Sequence, residues 1–280
     1  MKSITSAANA AYKQWLRLAE HPRESRAQGR ALAEGLHLAQ AALDASVAIE
    51  AVLLRCGAAS AEASRLAEAA MAAGAAGYEL AAPLFDRISP VEHGAGLMLV
   101  TVAAQHPLPE RAQRDMLYLD GVQDPGNVGT LLRTAAAAGI RDVLAGPGTA
   151  ALWAPKTLRA GQGAQFRLRL HEQVAAGSLP AALAGHWIGA DARGGEPLWA
   201  MPLPPEPVGW VFGGEGAGLS AAARAVCRRL VSIPIEAAIE SLNVGAAAAV
   251  CLFERRRRLA APSFRVRVTP LGVDRDIGKN

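Results

Sequence analysis

The chain has 280 residues, with 29 Lys and Arg against 25 Asp and Glu, a net charge of +4, and 51% hydrophobic residues. At about 150 residues per domain this is chain enough for two domains with buried cores, and its hydrophobicity and modest charge exclude an intrinsically disordered chain. No apolar run approaches the roughly 18–20 residues of a membrane span, Met1-Lys2-Ser3 leads into no signal-peptide core, and the glycines show no collagen period.

Cys56, Cys227 and Cys251 are odd in number and form no CxxC pair. Neither a zinc site nor a disulfide framework is indicated, and a reducing cytoplasm is the simplest setting. Lysine stands only at positions 2, 13, 156 and 279, so the cations are overwhelmingly arginine. A GC-rich genome explains that plainly; recognition of phosphate oxygens by guanidinium forks explains it functionally.

In chain order, apolar residues at Leu32, Leu36, Ala39 and Leu43 predict a helix over Arg30–Leu43. Val47–Leu54 reads as a strand, Ser60–Ala73 as an alanine-rich helix capped by Ser60, and Gly96–Ala103 as a buried strand. Residues 1–105 thus form a small N-terminal α/β domain. The proline-bearing stretch within 106–114 reads as a linker. From 115 to 260, strands at Met116–Asp120, Arg141–Ala145, Phe166–Leu170, His186–Ala190, Trp210–Gly213 and Leu230–Ile233 alternate with helices at Asn127–Ala138 and near 172–183, 219–227 and 241–257. Such alternation predicts a mostly parallel sheet with helices on both faces, and ligands at the C-terminal ends of its strands. Residues 261–280 form a tail of mixed composition, and no internal repeat is present.

Three loops at such strand ends hold the informative residues. In Asp120–Gly139, Asp124-Pro125-Gly126 makes a tight turn, Asn127 is placed to cap the following helix, and Arg133 follows six residues later. Six residues rotate a helix by about 240° beyond full turns. Asn127 and Arg133 therefore converge only if Asn127 lies outside the helix; a capped helix with a surface arginine is the plainer alternative. The second loop, Gly213-Gly214-Glu215-Gly216-Ala217-Gly218-Leu219-Ser220, gives the backbone freedom to approach a ligand closely. It is neither a P-loop nor a GxGxxG fingerprint, and Glu215 has no basic neighbour in sequence. The third runs from Ile233-Pro234 to Ser241-Leu242-Asn243 at a helix start, where Ser241 could cap the helix or present its hydroxyl. No GxSxG elbow makes Ser241 a nucleophile.

Taken together, N127xxxxxR133xxxxxG139, G213GEGAGLS220 and IP-x6-SLN243 closely resemble the three signature motifs of the SpoU/TrmH-type RNA 2′-O-methyltransferases of the SPOUT superfamily. The resemblance covers about half of the chain, in order and spacing. Lys156-xx-Arg159-Ala-Gly161 resembles the family's segment between motifs. Glu34-Gly35 and Gly96-Leu-Met-Leu-Val resemble the ribosomal-protein-like substrate domain of members that act on ribosomal RNA.

The resemblance implies a C-terminal SPOUT α/β domain over 115–260 that binds S-adenosyl-L-methionine in a trefoil knot and pairs as a homodimer. It implies cofactor contacts at Gly213, Gly214, Ile233, Leu242 and Asn243, and catalytic positions at Asn127, Arg133, Glu215, Ser241 and Asn243. A ribose 2′-OH is a poor nucleophile, so the site must align it and help its proton leave. A guanidinium is a poor base. The preferred role for Arg133 is to grip an RNA phosphate and stabilise developing alkoxide charge; proton removal by a neutralised Arg133 is the alternative. The chemistry calls for no metal. Relatives usually carry small or neutral residues where this chain has Glu236 and Glu240.

Arg23, Arg26 and Arg30 form either a solvated face or an RNA-facing patch. The run Arg255–Arg258 supplies cations to a helix C-terminus, or else contacts phosphate or a second copy. The expected function is methylation of 23S ribosomal RNA by a cytoplasmic enzyme. A transfer RNA target and a non-catalytic RNA-binding or ribosome-assembly protein of the same fold are the alternatives. A Rossmann-type dinucleotide enzyme is disfavoured, because the first loop lacks its glycine fingerprint.

Overall fold

The computed structural model describes residues 1–57, 60–89, 91, 94–179, 183 and 186–260. The tail expected from 261 onward lies outside them.

The first half runs β1 (Lys2–Ile4), α1 (Ala10–Glu20), α2 (Glu24–Gln28), β2 (Arg30–Glu34), α3 (Leu36–Asp44), β3 (Ile49–Arg55), α4 (Ala61–Ala72), β4 (Ala76–Leu80), α5 (Ala82–Ile88) and β5 (Leu97–Val102). Its sheet is ordered β1-β4-β3-β5-β2, with β5 antiparallel to both neighbours. Ser60 caps α4 as expected, its Oγ accepting from Ala63 N at 3.1 Å. The helix expected over Arg30–Leu43 is two elements. Arg30–Glu34 is a strand paired with β5, Gly35 turns the chain at φ 103°, and only then does α3 begin. β2 buries Ala31, Leu32 and Ala33 in succession. A short strand buried on both faces has no period-two signal to set it apart from the helical stripe that follows.

The second half runs β6 (Met116–Asp120), α6 (Pro125–Ala138), β7 (Asp142–Ala145), α7 (Pro155–Gly161), β8 (Arg169–Glu172), β9 (Trp187–Ala190), β10 (Glu196–Pro197) and β11 (Gly209–Gly213). A short helix, Ala221–Val226, then leads to β12 (Arg229–Ser232) and a C-terminal helix, Val244–Ala260. The order β10-β12-β9-β11-β6-β7-β8 is parallel throughout, as the alternation of elements led us to expect. The strand expected from Phe166 begins only at Arg169, because Ala164–Arg167 winds as a 3-10 turn behind Gly163 at φ 79°. The helix expected near 172–183 shows a 3-10 turn at Ala176–Ser178; residues 180–182 lie outside the described ones.

The two halves share one apolar core, continuous from α3 and α4 through α6 and α7. Helices α6 and α7 touch backbone to backbone: a Cβ on Gly129 would stand 2.4 Å from Ala160 Cβ and 2.6 Å from Gly161 N. Ser25 Oγ donates to the Trp153 carbonyl at 3.3 Å across the junction.

The run Arg255–Arg258 clasps the domain to itself. Arg255 is buried, pairs with Asp115 at 2.9 Å, and donates to the carbonyls of Glu206 (2.7 Å) and Pro204. Arg256 donates to the Ala137 carbonyl at 2.7 Å. Arg258 donates to those of Met201 and Leu198 at 2.6 and 2.8 Å. Hydrogen bonds from Arg257 and Arg258 hold the Glu254 carboxyl down at about 2. The carbonyls of the 198–206 connection face the last helix, and the guanidinium forks supply their donors. Tertiary contacts thus engage Arg255, Arg256 and Arg258, while Arg257 is exposed and pairs with Glu254 on its own helix at 2.8 Å.

Candidate functional site

Strands β6 and β11 lie side by side with Asp120 opposite Gly213, so the loops leaving them start level with each other. Gly214 N donates to the Asp120 carbonyl at 3.2 Å. The Asp120 carboxylate accepts from Ser220 N at 2.6 Å and from Ser220 Oγ at 3.2 Å, while Ser220 Oγ caps the next helix at Ala223 N, 3.1 Å away. The glycine loop is thereby tied at both ends. Its turn closes through Gly218 N to Gly214 O at 2.9 Å. A Cβ on Gly213 would meet Gly218 O at 2.1 Å, so the turn has room for hydrogen alone. Sequence reasoning passed over Asp120 as a tether, although an acidic residue closing a buried strand was the visible signal.

Asn127 is not the cap of α6. Asp124 takes that place, its Oδ1 accepting from Asn127 N at 2.7 Å, with Pro125 at the first helical position. Asn127 is therefore inside the helix, and its side chain bridges two other loops. Its Nδ2 donates to Glu215 Oε1, and its Oδ1 accepts from Asn243 Nδ2 at 2.9 Å. Asn243 Oδ1 in turn accepts from Gly245 N at 2.9 Å and Ala246 N at 3.3 Å. Asn243, rather than Ser241, thus caps the last helix. Each amide uses both of its ends, so neither can flip without losing a partner. Glu215 finds in Asn127 the partner its sequence neighbourhood lacks.

The third loop meets these two over a cavity of about 260 Å³. Gly213, Gly214, Glu215, Ile233, Ser241, Leu242 and Asn243 all line it, together with Phe212 and Ile235. Ile235 and Leu242 are each 38% exposed there, apolar surface that a flat ligand would cover. Glu236 and Glu240 are exposed on the same loop.

The structure does not bring Arg133 to this cavity. It stands on the exposed side of α6, as the helical arithmetic requires once Asn127 is helical, and lines a separate recess beside His37, Gln40 and Asp44 of α3. Arg23 and Arg26 line a larger cavity between the two halves. Arg30 is elsewhere, paired with Glu50 at 2.7 Å. Burial pushes the thiols of Cys227 and Cys251 up to about 12, which leaves them un-ionised at neutral pH. Among the described residues no cluster of three or more His, Cys, Asp or Glu side chains is placed to hold a metal, and no helix is long and apolar enough to cross a membrane.

Comparison with known proteins bears on this geometry. Residues 115–253 match the SpoU rRNA Methylase family, and residues 9–98 match the MRM3-like substrate binding domain. The Bacillus subtilis 23S rRNA (guanosine(2553)-2′-O)-methyltransferase RlmP is 32% identical over 263 residues, spanning 91% of this chain and 100% of the relative. The AdoMet-bound rRNA methyltransferase of Sinorhizobium meliloti superposes with a TM-score of 0.79 at 24% identity, over 92% of this chain and 98% of that one. The SpoU methyltransferase AviRb of Streptomyces viridochromogenes, in complex with AdoMet, gives 0.78 at 24% identity over 89% and 98%. These last two likenesses are of fold.

Proposed function

Because the chain belongs to the SpoU rRNA methylase family, we propose that it is an S-adenosylmethionine-dependent RNA ribose 2′-O-methyltransferase acting on 23S ribosomal RNA. The observation that carries this reading is the Glu215–Asn127–Asn243 chain at the mouth of the 260 Å³ cavity. It ties the first turn of α6 to the glycine loop and to the third loop, beside a cleft whose other walls include Phe212, Ile233, Ile235 and Leu242. The full-length likeness to a 23S enzyme favours that RNA over a transfer RNA.

The cavity suits the cofactor's parts. Phe212, Ile233, Ile235 and Leu242 offer apolar walls for an adenine, and Gly213 and Gly214 line the cavity with main chain, in a turn with no room for a Cβ at Gly213. Bound there, S-adenosylmethionine supplies a methyl group on a cationic sulfur. The chain's own task is to hold a ribose 2′-OH in line with that methyl and to exclude water. We assign that positioning to Asn127 and Ser241. Asn243 shapes the cofactor loop, and Glu215 orients the Asn127 amide. Chemistry of this kind asks no metal of the protein.

Arg133 fits the reading through a second copy. In a homodimer we assign the exposed Arg133 guanidinium to the other copy's cavity, where it would grip an RNA phosphate and stabilise alkoxide charge. The exposed Phe253 on the last helix, 46% accessible, is apolar surface that such pairing would cover. We read residues 1–105 as the RNA-recognition domain, 106–114 as its linker and 115–260 as a knotted cofactor domain, in a cytoplasmic protein.

Calorimetric titration of S-adenosylmethionine into wild type, Arg133→Ala and Gly213→Trp tests the assignment. Wild type and Arg133→Ala are expected to bind while Gly213→Trp does not, and only wild type transfers methyl to 23S rRNA. A folded wild type that binds no cofactor, even with RNA present, overturns the reading.

A further inference from the structure

A cavity of about 730 Å³ lies between the two halves and falls within the roughly 300–1,000 Å³ range of ligand sites. One wall carries Arg23, Arg26 and Arg87, and the other carries Lys156, with Gln123 and Pro125 at its edge. Its two acids are already engaged. Glu20 pairs with Arg87 at 3.1 Å. Glu172 accepts from Leu152 N at 3.0 Å and faces Arg26. Arg23 and Lys156, by contrast, have no ion-pair partner among the described residues. The cavity is thus lined by cations in surplus.

Its position adds a second argument. Pro125 borders the cavity and lies two residues before Asn127, whose amide touches Glu215 and Asn243 at the cofactor cleft. The loop at 121–124 and the first turn of α6 thus link the two cavities: Pro125 borders the larger, and Asn127 contacts Glu215 and Asn243, which line the smaller. That loop is held fast from the cavity side: Thr149 Oγ1 accepts from Gly121 N at 3.1 Å and donates to Leu119 O at 2.9 Å. A strand whose ribose reaches Asn127 has its neighbouring phosphates next to the cations.

We propose that the cavity between the halves is the channel for the RNA strand flanking the methylated ribose, with Arg23, Arg26 and Lys156 gripping its phosphates. The proposal rests on the methyltransferase reading and deepens it, because it adds Lys156 of the cofactor domain to the substrate's binding surface. Phosphate contacts set register and orientation rather than sequence. The exposed Gln123 amide at the edge is placed to meet a base.

The test uses the full chain with Arg23→Ala/Lys156→Ala, Lys156→Arg, and Arg65→Ala as a control for net charge on the exposed side of α4. Affinity for unmodified 23S rRNA transcript is measured across a salt series, beside cofactor titration, methyl-transfer kinetics and a thermal melt. The double variant is expected to bind RNA about tenfold more weakly and to lose about 1.4 from the slope of log affinity against log salt, at about 0.7 per single-strand phosphate. KM for RNA rises with kcat nearly unchanged, the cofactor affinity stays at the wild-type value, and Lys156→Arg keeps the wild-type slope. A folded double variant with wild-type affinity and slope overturns the proposal. So does an equal loss in Arg65→Ala, which would make the effect one of diffuse charge. Failure of the parent reading shows separately, as a wild type that neither binds cofactor nor methylates.

Discussion

Asn243 and Asn127 stand 116 residues apart in sequence, yet the Asn243 amide donates to the Asn127 carbonyl oxygen at 2.9 Å. The same Asn243 side chain caps the last helix with its other end. One residue thus joins the stability of that helix to the geometry of the site, and the two roles can be separated.

Aspartate caps helices as well as asparagine does, but it cannot donate. Asn243→Asp is expected to keep the melting temperature close to wild type while setting an oxygen against Asn127 Oδ1. Methyl transfer should fall by about 10²-fold, the size expected for losing one preorganised donor. Asn243→Ala should lose the same activity and about 1 kcal/mol of stability with the cap. Wild-type turnover in Asn243→Asp would remove the amide chain from the mechanism.

Gly213→Ala places a methyl 2.1 Å from the Gly218 carbonyl oxygen. Because both partners are backbone, the turn itself must move, at about 1–3 kcal/mol. Cofactor binding should weaken at least tenfold in calorimetry. Gly216→Ala, whose Cβ meets nothing within 4 Å, should bind as wild type does.

Arg255 is 3% exposed and is paired with Asp115. Arg255→Met leaves that carboxylate with the Val208 N–H but without its cation, and the Glu206 carbonyl without the Arg255 donor. Urea unfolding should show a loss of about 3–5 kcal/mol. Adding Asp115→Asn should recover part of it, and no recovery would place the cost in the carbonyl contacts instead.

The Asp142 carboxyl is buried, which opposes its ionisation, but hydrogen bonds from His171 and Arg169 hold it below its ordinary 3.8. A lowered folded-state pKa adds stability above that value and loses it as pH falls through the folded one. Asp142→Asn should therefore lower the urea midpoint at pH 7, with the gap to wild type narrowing below pH 3.8. A gap of constant size down to pH 3 would mean that charge plays no part.

Local chemistry made much of this protein legible. The apolar runs at Met116–Asp120, Trp210–Gly213 and Gly96–Ala103 fall on β6, β11 and β5, because a buried strand is a short run of large apolar residues bounded by turn formers. Ser60 and Ser220 cap helices as serines before alanine-rich runs do. The start of α6 was legible too: Asp124-Pro125 is a cap followed by a proline at the first helical position, and weighing it above Asn127 would have placed Asn127 inside the helix.

What escaped the sequence depends on partners far along the chain. Arg30–Glu34 is a strand because β5, some 67 residues on, offers it a ladder. The arginine run after Phe253 is a clasp because carbonyls of residues 198–206 lie against it. Residues near in sequence fixed where each loop begins, through propensity, capping and burial. Only the parallel pairing of β6 with β11 and the return of the last helix onto α6 decided that Asn127, Glu215 and Asn243 touch while Arg133 turns away, since hydrogen-bond geometry acts over a few ångströms and spacing along a chain carries no such information.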